Sequence, residues 1–173
     1  MSTIFTIGHS TRRLAEFIAL LEAHGVRQLA DIRSIPRSRR HPHFSGEALF
    51  ASLQEAGIAY RHSAALGGMR KPRLDSRNTA WRVEGFRGYA DYMETETFRG
   101  ALEELIAVAR GTATAIMCAE ARWWQCHRQL VADALVAHGV EVRHISSASA
   151  APVHTLTDFA QIEGGQVTYR RLI

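Results

Sequence analysis

The chain has 173 residues, 46% hydrophobic and 22% charged, enough for one domain with its own core and unlike collagen-like, coiled-coil or disordered chains. It contains no run of 18 apolar residues, its start lacks the basic-then-apolar order of a secretory signal, and two cysteines make no disulfide framework. The expectation is a cytoplasmic domain with no membrane segment.

The net charge of +4 is unevenly placed. The basic residues are 20 Arg and the single Lys71, and the span Arg33–Arg87 holds 11 of them against 4 acidic residues. That local +7 faces −3 over the rest of the chain. Arginine presents a planar fork that suits phosphate and carboxylate, so the segment points to an anionic small molecule or a nucleic acid. A solvated basic surface is the plainer reading of the same residues.

In chain order, a first strand is expected at Thr3–Ile7, followed by a helix with the stripe Leu14, Phe17, Ile18 and Leu21. His24-Gly25-Val26 then leads into the apolar run Gln28–Ile32. A helix carrying Leu49, Phe50 and Leu53 ends at Gly57 before Ala59-Tyr60, and one carrying Phe98, Leu102, Leu105, Ile106 and Ala109 ends at Gly111 before Thr112–Met117. A last helix, striped by Trp123, Leu130, Val131, Ala134 and Leu135, ends at Gly139 before Glu141–Ile145. Each glycine reads as a left-handed helix C-terminus feeding a strand. Alternating strands and helices give an α/β, doubly wound (Rossmann-like) single domain with a mostly parallel sheet.

Two stretches fall outside the alternation. Leu66–Gly88, rich in Gly and Arg, reads as a long functional or mobile loop. Residues 146–173 read as an extension packed on the 1–145 core, with a short helix, a turn at Gly164-Gly165 and a strand; a hairpin about those glycines is the competing reading.

Ligands of such sheets bind outside the carboxyl ends of the strands. There the sequence places His9 and Ser10, then Asp31, Arg33, Arg37 and Arg39, then Cys118, Glu120 and, farther on, Cys126, His127 and Arg128. Cys118 lies between a strand end and a helix start, a setting that lowers a thiol pKa. As a set, His9, Asp31, Glu120 and His127 are candidates for acid–base work and Cys118 for nucleophile. Ser10, Arg33, Arg37, Arg39 and Arg128 are candidates for holding phosphate. Cys118, Cys126 and His127 are candidate ligands for a divalent metal, with His41 and His43 as further donors if the fold gathers them. The blander roles are a core cysteine, a satisfied core histidine and solvated arginines. Spacings exclude the Cys-x5-Arg phosphatase loop, the GxxxxGK[ST] loop, GxGxxG and GxSxG.

With these residues in place, the chain resembles the domain-of-unknown-function family numbered 488. The resemblance rests on Thr6-Ile7-Gly8-His9-Ser10, Asp31-Ile32-Arg33 with Pro36 and Ser38-Arg39, Leu66-Gly67-Gly68, Cys118-Ala119-Glu120, Cys126-His127-Arg128 and His144-Ile145. It implies that these positions form the site and names no substrate. Three functions are therefore weighed. The first is an enzyme acting on a phosphate-bearing, nucleotide-like or nucleic-acid-related substrate. The second is a non-catalytic nucleic-acid binder using the basic segment with Trp81, Phe86 and Tyr89 as stacking faces. The third is a metal- or thiol-redox-dependent protein using Cys118 and Cys126.

Overall fold

The computed structural model describes residues 2–172; Met1 and Ile173, the outer ends of the expected core and extension, lie outside them. Five strands form the main sheet: β1 (Thr3–Gly8), β2 (Gln28–Asp31), β3 (Ala59–His62), β4 (Thr114–Cys118) and β5 (Glu141–His144). Their order is β3-β2-β4-β1-β5, and every pairing is parallel. Parallel strands need crossovers, and the helices supply them. The helices α1 (Leu14–Ala23) and α2 (Gly46–Glu55) cover one face, burying Phe17, Leu21, Leu49 and Leu53 with Ile7 and Leu29. On the other face α3 (Glu84–Tyr92), α4 (Glu96–Gly111) and α5 (Arg128–Ala137) bury Tyr89, Phe98, Leu102 and Leu130 with Ile4 and Ile116. This is the doubly wound α/β domain that the alternation dictates.

The glycine signals work through one hydrogen-bond pattern. At the end of α1, Gly25 adopts φ +70° and Val26 N–H returns to Leu21 O at 2.9 Å. Gly57 and Gly139 repeat it, with Ile58 bonded to Leu53 O and Val140 to Leu135 O. Orphan helix carbonyls are thereby satisfied, and the chain turns back toward the sheet. Gly111 differs: it is the last residue of α4 and has no positive φ.

Three expectations shift. The stretch after Leu66 is not loop throughout, because Glu84–Tyr92 is helical; Gly85 and Gly88 mask its helical pattern in the sequence. The remaining loop is pinned by Asp91, whose carboxylate accepts from Arg73 N (2.8 Å), Ser76 Oγ (2.7 Å) and Asn78 Nδ2 (2.7 Å). Trp123 precedes α5 in a 3-10 turn (Trp123–Gln125), and its ring stacks on His144 at 4.4 Å. In the tail, the hairpin is the arrangement found: β6 (Gln161–Glu163) pairs antiparallel with β7 (Gln166–Thr168). Tyr169 anchors it, fully buried, with its hydroxyl donating to Asp133 at 2.7 Å.

Gly8 sets how closely the β1 and β4 loops approach. A Cβ there would meet Glu120 O at 1.7 Å, a backbone atom that cannot step aside. Gly100, inside α4, has nothing within 4 Å of an added Cβ. Gly8→Ala is therefore expected to destabilise the fold by about 1–3 kcal/mol or more, whereas Gly100→Ala stabilises it by about 0.5–1 kcal/mol. Urea unfolding of the two variants checks the pair; equal midpoints would contradict the close approach.

Candidate functional site

The chain leaves β2 toward the α1/α2 face and leaves β4 toward the α5 face, although β2 and β4 are neighbours. A crevice opens between such strand ends. It is a cavity of about 510 Å3, walled by the segments after β2 and β4, by Gly68-Met69 and by α3. Cys118 and Cys126 both line it, at 2% and 7% exposure, and neither is in a disulfide. The α3 wall is apolar, contributed by Phe86, Tyr89 and the preceding Val83.

The two thiols are not equivalent. Burial pushes the Cys118 thiol up, but the neighbouring Cys126 thiol and the Arg128 guanidinium outweigh it, so Cys118 is held below the ordinary thiol range. Cys126 moves well above that range, first because of its interaction with Cys118 and then through burial. In its thiol form Cys118 makes only a long contact, 3.6 Å, to Glu120 O. Arg128 supplies the positive charge from behind. It is 1% exposed and donates to Thr6 Oγ1 (3.2 Å), Glu120 O (2.9 Å) and Ala121 O (3.2 Å), and its Nε has no partner. None of the ion pairs among the described residues includes it.

The last helix, expected to include Trp123, is α5 starting at Arg128, so His127 sits at its N-terminal cap rather than inside it. Its Nε2 donates to Ile32 O at 2.8 Å, which leaves Nδ1 as an acceptor 3.3 Å from Cys126 Sγ. Burial lowers it to about 4, so the ring is neutral near pH 7.

The other expected site residues divide between the cavity wall and contacts elsewhere. Asp31 and Arg33 form a buried two-point ion pair, Nε to Oδ1 at 2.9 Å and Nη2 to Oδ2 at 2.7 Å. Asp31 also accepts from Tyr60 at 2.6 Å, and Arg33 also donates to Phe44 O at 2.7 Å. Arg33 reaches the cavity wall but carries its counter-charge with it, and Asp31 is not on the wall. His9 lies behind Arg33, 3.4 Å from Nη1 and stacked on Phe44; burial brings it to about 4. Ser10 is off the cavity, at φ +48°. Arg37 and Glu120 line the cavity, while Arg39 lines a neighbouring groove.

Among the described residues no three His, Cys, Asp or Glu side chains converge as a metal site requires. The further donor His43 gives Nε2 to Arg12 O at 3.1 Å. Trp81 and Tyr89 are buried, Trp81 against Phe86, Phe159 and Tyr169, so neither offers a face to a stacked base.

Sequence reasoning missed the hydrogen-bond chain behind Arg128. Thr6 Oγ1 lies 2.6 Å from His144 Nδ1, His144 Nε2 lies 2.8 Å from His154 Nδ1, and His154 Nε2 lies 2.8 Å from Asp133. Asp133 accepts from His154, and neutral rings continue that direction, His154 accepting from His144 and His144 from Thr6. Burial and then the neighbouring charges lower His144 to about 3. Only the polar residues Thr6 and His144, at apolar strand positions, could have signalled this chain.

Acid should expose these buried neutral rings. His9, His127 and His144 have folded pKa values below the ordinary histidine value of 6.5, so the unfolded chain binds more protons. Unfolding free energy is expected to fall as pH drops from about 6.5 toward about 4. Urea titrations at several pH values check this, and a flat profile would contradict it.

No helix among the described residues is long and apolar enough to cross a membrane. Comparison with curated proteins found no match, and comparison with solved structures found none. A family model described as "Domain of unknown function DUF488" matches residues 13–135, from the start of α1 nearly to the end of α5. The match covers both thiols and most of the cavity wall, and the chain belongs to that family.

Proposed function

We propose that the protein is a dithiol enzyme that reduces or forms disulfide bonds in its substrate, with Cys118 as nucleophile and Cys126 as resolving thiol. One observation carries the reading: two free thiols line one cavity, with a buried arginine behind the first. A thiolate is the reactive form of cysteine, and a nearby guanidinium favours it. The phosphate-clamp reading has less to stand on, because the donors of Arg33 and Arg128 are engaged with the protein itself.

In this reading each step has a place for its proton. The Cys118 thiolate, having released its proton to solvent, attacks one sulfur of a disulfide R–S–S–R′. A mixed disulfide forms, and R′S⁻ leaves and takes a proton from solvent. Cys126 gives its proton to His127 Nδ1, the acceptor 3.3 Å away. The Cys126 sulfur attacks Cys118 Sγ, the Cys118–Cys126 bond forms, and RS⁻ leaves with the proton from His127. Two protein thiols are oxidised and one substrate disulfide is reduced to two thiols. The steps run in reverse when a dithiol substrate meets the oxidised protein.

Iodoacetamide alkylation of the native protein, followed by mass spectrometry across pH, tests the nucleophile. Modification is expected at Cys118, with a midpoint below the ordinary thiol value, and is lost in Cys118→Ser. Arg128→Met is expected to move the midpoint upward. Preferred labelling of Cys126, or an unshifted midpoint for Cys118, would overturn the assignment.

A further inference from the structure

We infer that the thiol cavity and the groove beside it form one bipartite cleft, built for a small organic disulfide that carries an anionic group. The inference rests on the dithiol reading and adds the substrate class. The groove, of about 770 Å3, shares Ser34, Ile35 and Arg37 with the thiol cavity, so the two volumes adjoin along the segment after β2. Each volume is of the size that takes a small molecule.

The two halves differ in chemistry. Around the thiols the wall is mainly apolar, with Arg33, Arg37, Glu120 and Gln125 in its polar lining, and its rim carries Met69 at 88% exposure, held at φ +62°. A left-handed methionine costs conformational energy. The described residues leave this side chain exposed, so it offers apolar surface to a molecule entering the cleft. In the groove, Arg37 and Arg39 project where none of the ion pairs among the described residues engages them. Ser38 Oγ and Ser45 Oγ each accept a backbone N–H, at 3.1 and 3.3 Å, and keep their own hydrogens to donate. Glu47 is the one carboxylate of the groove, leaving an excess of positive charge and hydrogen-bond donors.

The occupant follows from this arrangement. Its sulfur must reach buried thiols that line the cavity, so it is narrow at the reacting end. Its body lies against Met69, and a carboxylate or phosphate lies between Arg37 and Arg39, where forked hydrogen bonds are available. The reaction is the exchange already written, with this molecule as R–S–S–R′.

Three small disulfides of similar length separate the outcomes: dithiodipropionate (dianionic), 2-hydroxyethyl disulfide (neutral) and cystamine (dicationic). Each rate of Cys118 oxidation is divided by the rate with the urea-unfolded protein, which removes intrinsic reactivity. The dianion is expected to exceed the neutral probe by about three- to tenfold, the scale of one or two exposed ion pairs, and cystamine to fall below it. Added salt should compress the differences. Arg37→Ala with Arg39→Ala should bring the dianion down to the neutral rate, and Arg37→Glu with Arg39→Glu should make cystamine the preferred probe. Circular dichroism verifies that these surface variants are folded. Equal normalised rates for the three probes would overturn the bipartite cleft and leave the dithiol reading standing. No reaction with any probe would overturn both.

Discussion

The structure around the thiols is organised by the burial of one cation. Arg128 is withdrawn from water at the start of α5, held by a threonine hydroxyl and two loop carbonyls, with no carboxylate paired to it. A buried charge without a counter-charge is costly, and this guanidinium favours the negative form of Cys118. The same guanidinium fastens the Glu120–Ala121 turn that closes against Gly8. The close β1–β4 approach, the turn after Cys118 and the acidity of its thiol thus share a cause. Behind Arg128, the chain Thr6–His144–His154–Asp133 carries the hydrogen bonding on to Tyr169 from the tail. Residues after the hairpin are therefore tied to the setting of a distant strand end.

A buried ion pair shows why a basic residue after a strand need not add positive charge to the site. Asp31 and Arg33 sit two residues apart, and the carboxylate takes both prongs of the guanidinium. Replacing either alone strands a buried charge, a loss of about 3–5 kcal/mol in comparable sites. The pair holds the chain leaving β2 against Phe44 and Tyr60, and so positions one wall of the crevice. It shapes the cavity and contributes no net charge to it.

How far the sequence is legible follows the physics of each signal. The three left-handed glycines are local, and each marks a helix end and the strand after it. The rule that ligands lie beyond parallel strands places Cys118, Cys126 and His127 at one rim from spacing alone. What spacing does not carry is which polar groups satisfy one another. Asp31, His9 and Arg128 look alike as loop residues of reactive type, yet each is turned inward by a partner distant in sequence or by burial. The helix at Glu84–Tyr92 is illegible for another reason: its glycines lower helical propensity, and tertiary packing around Tyr89 overrides it. Trp81 and Tyr89 likewise read as surface aromatics until the hairpin and α4 bury them.

The central claim is that Cys118 and Cys126 work as a pair. The most direct measurement is an equilibrium titration of the intact protein in glutathione buffers of graded potential, quenched with an alkylating agent and read by mass. The account predicts one two-electron transition, in which both thiols disappear together in the monomer and the mass falls by about two hydrogens. Independent titration of the two cysteines, or a stable glutathione adduct on Cys118 that Cys126 never displaces, would contradict it.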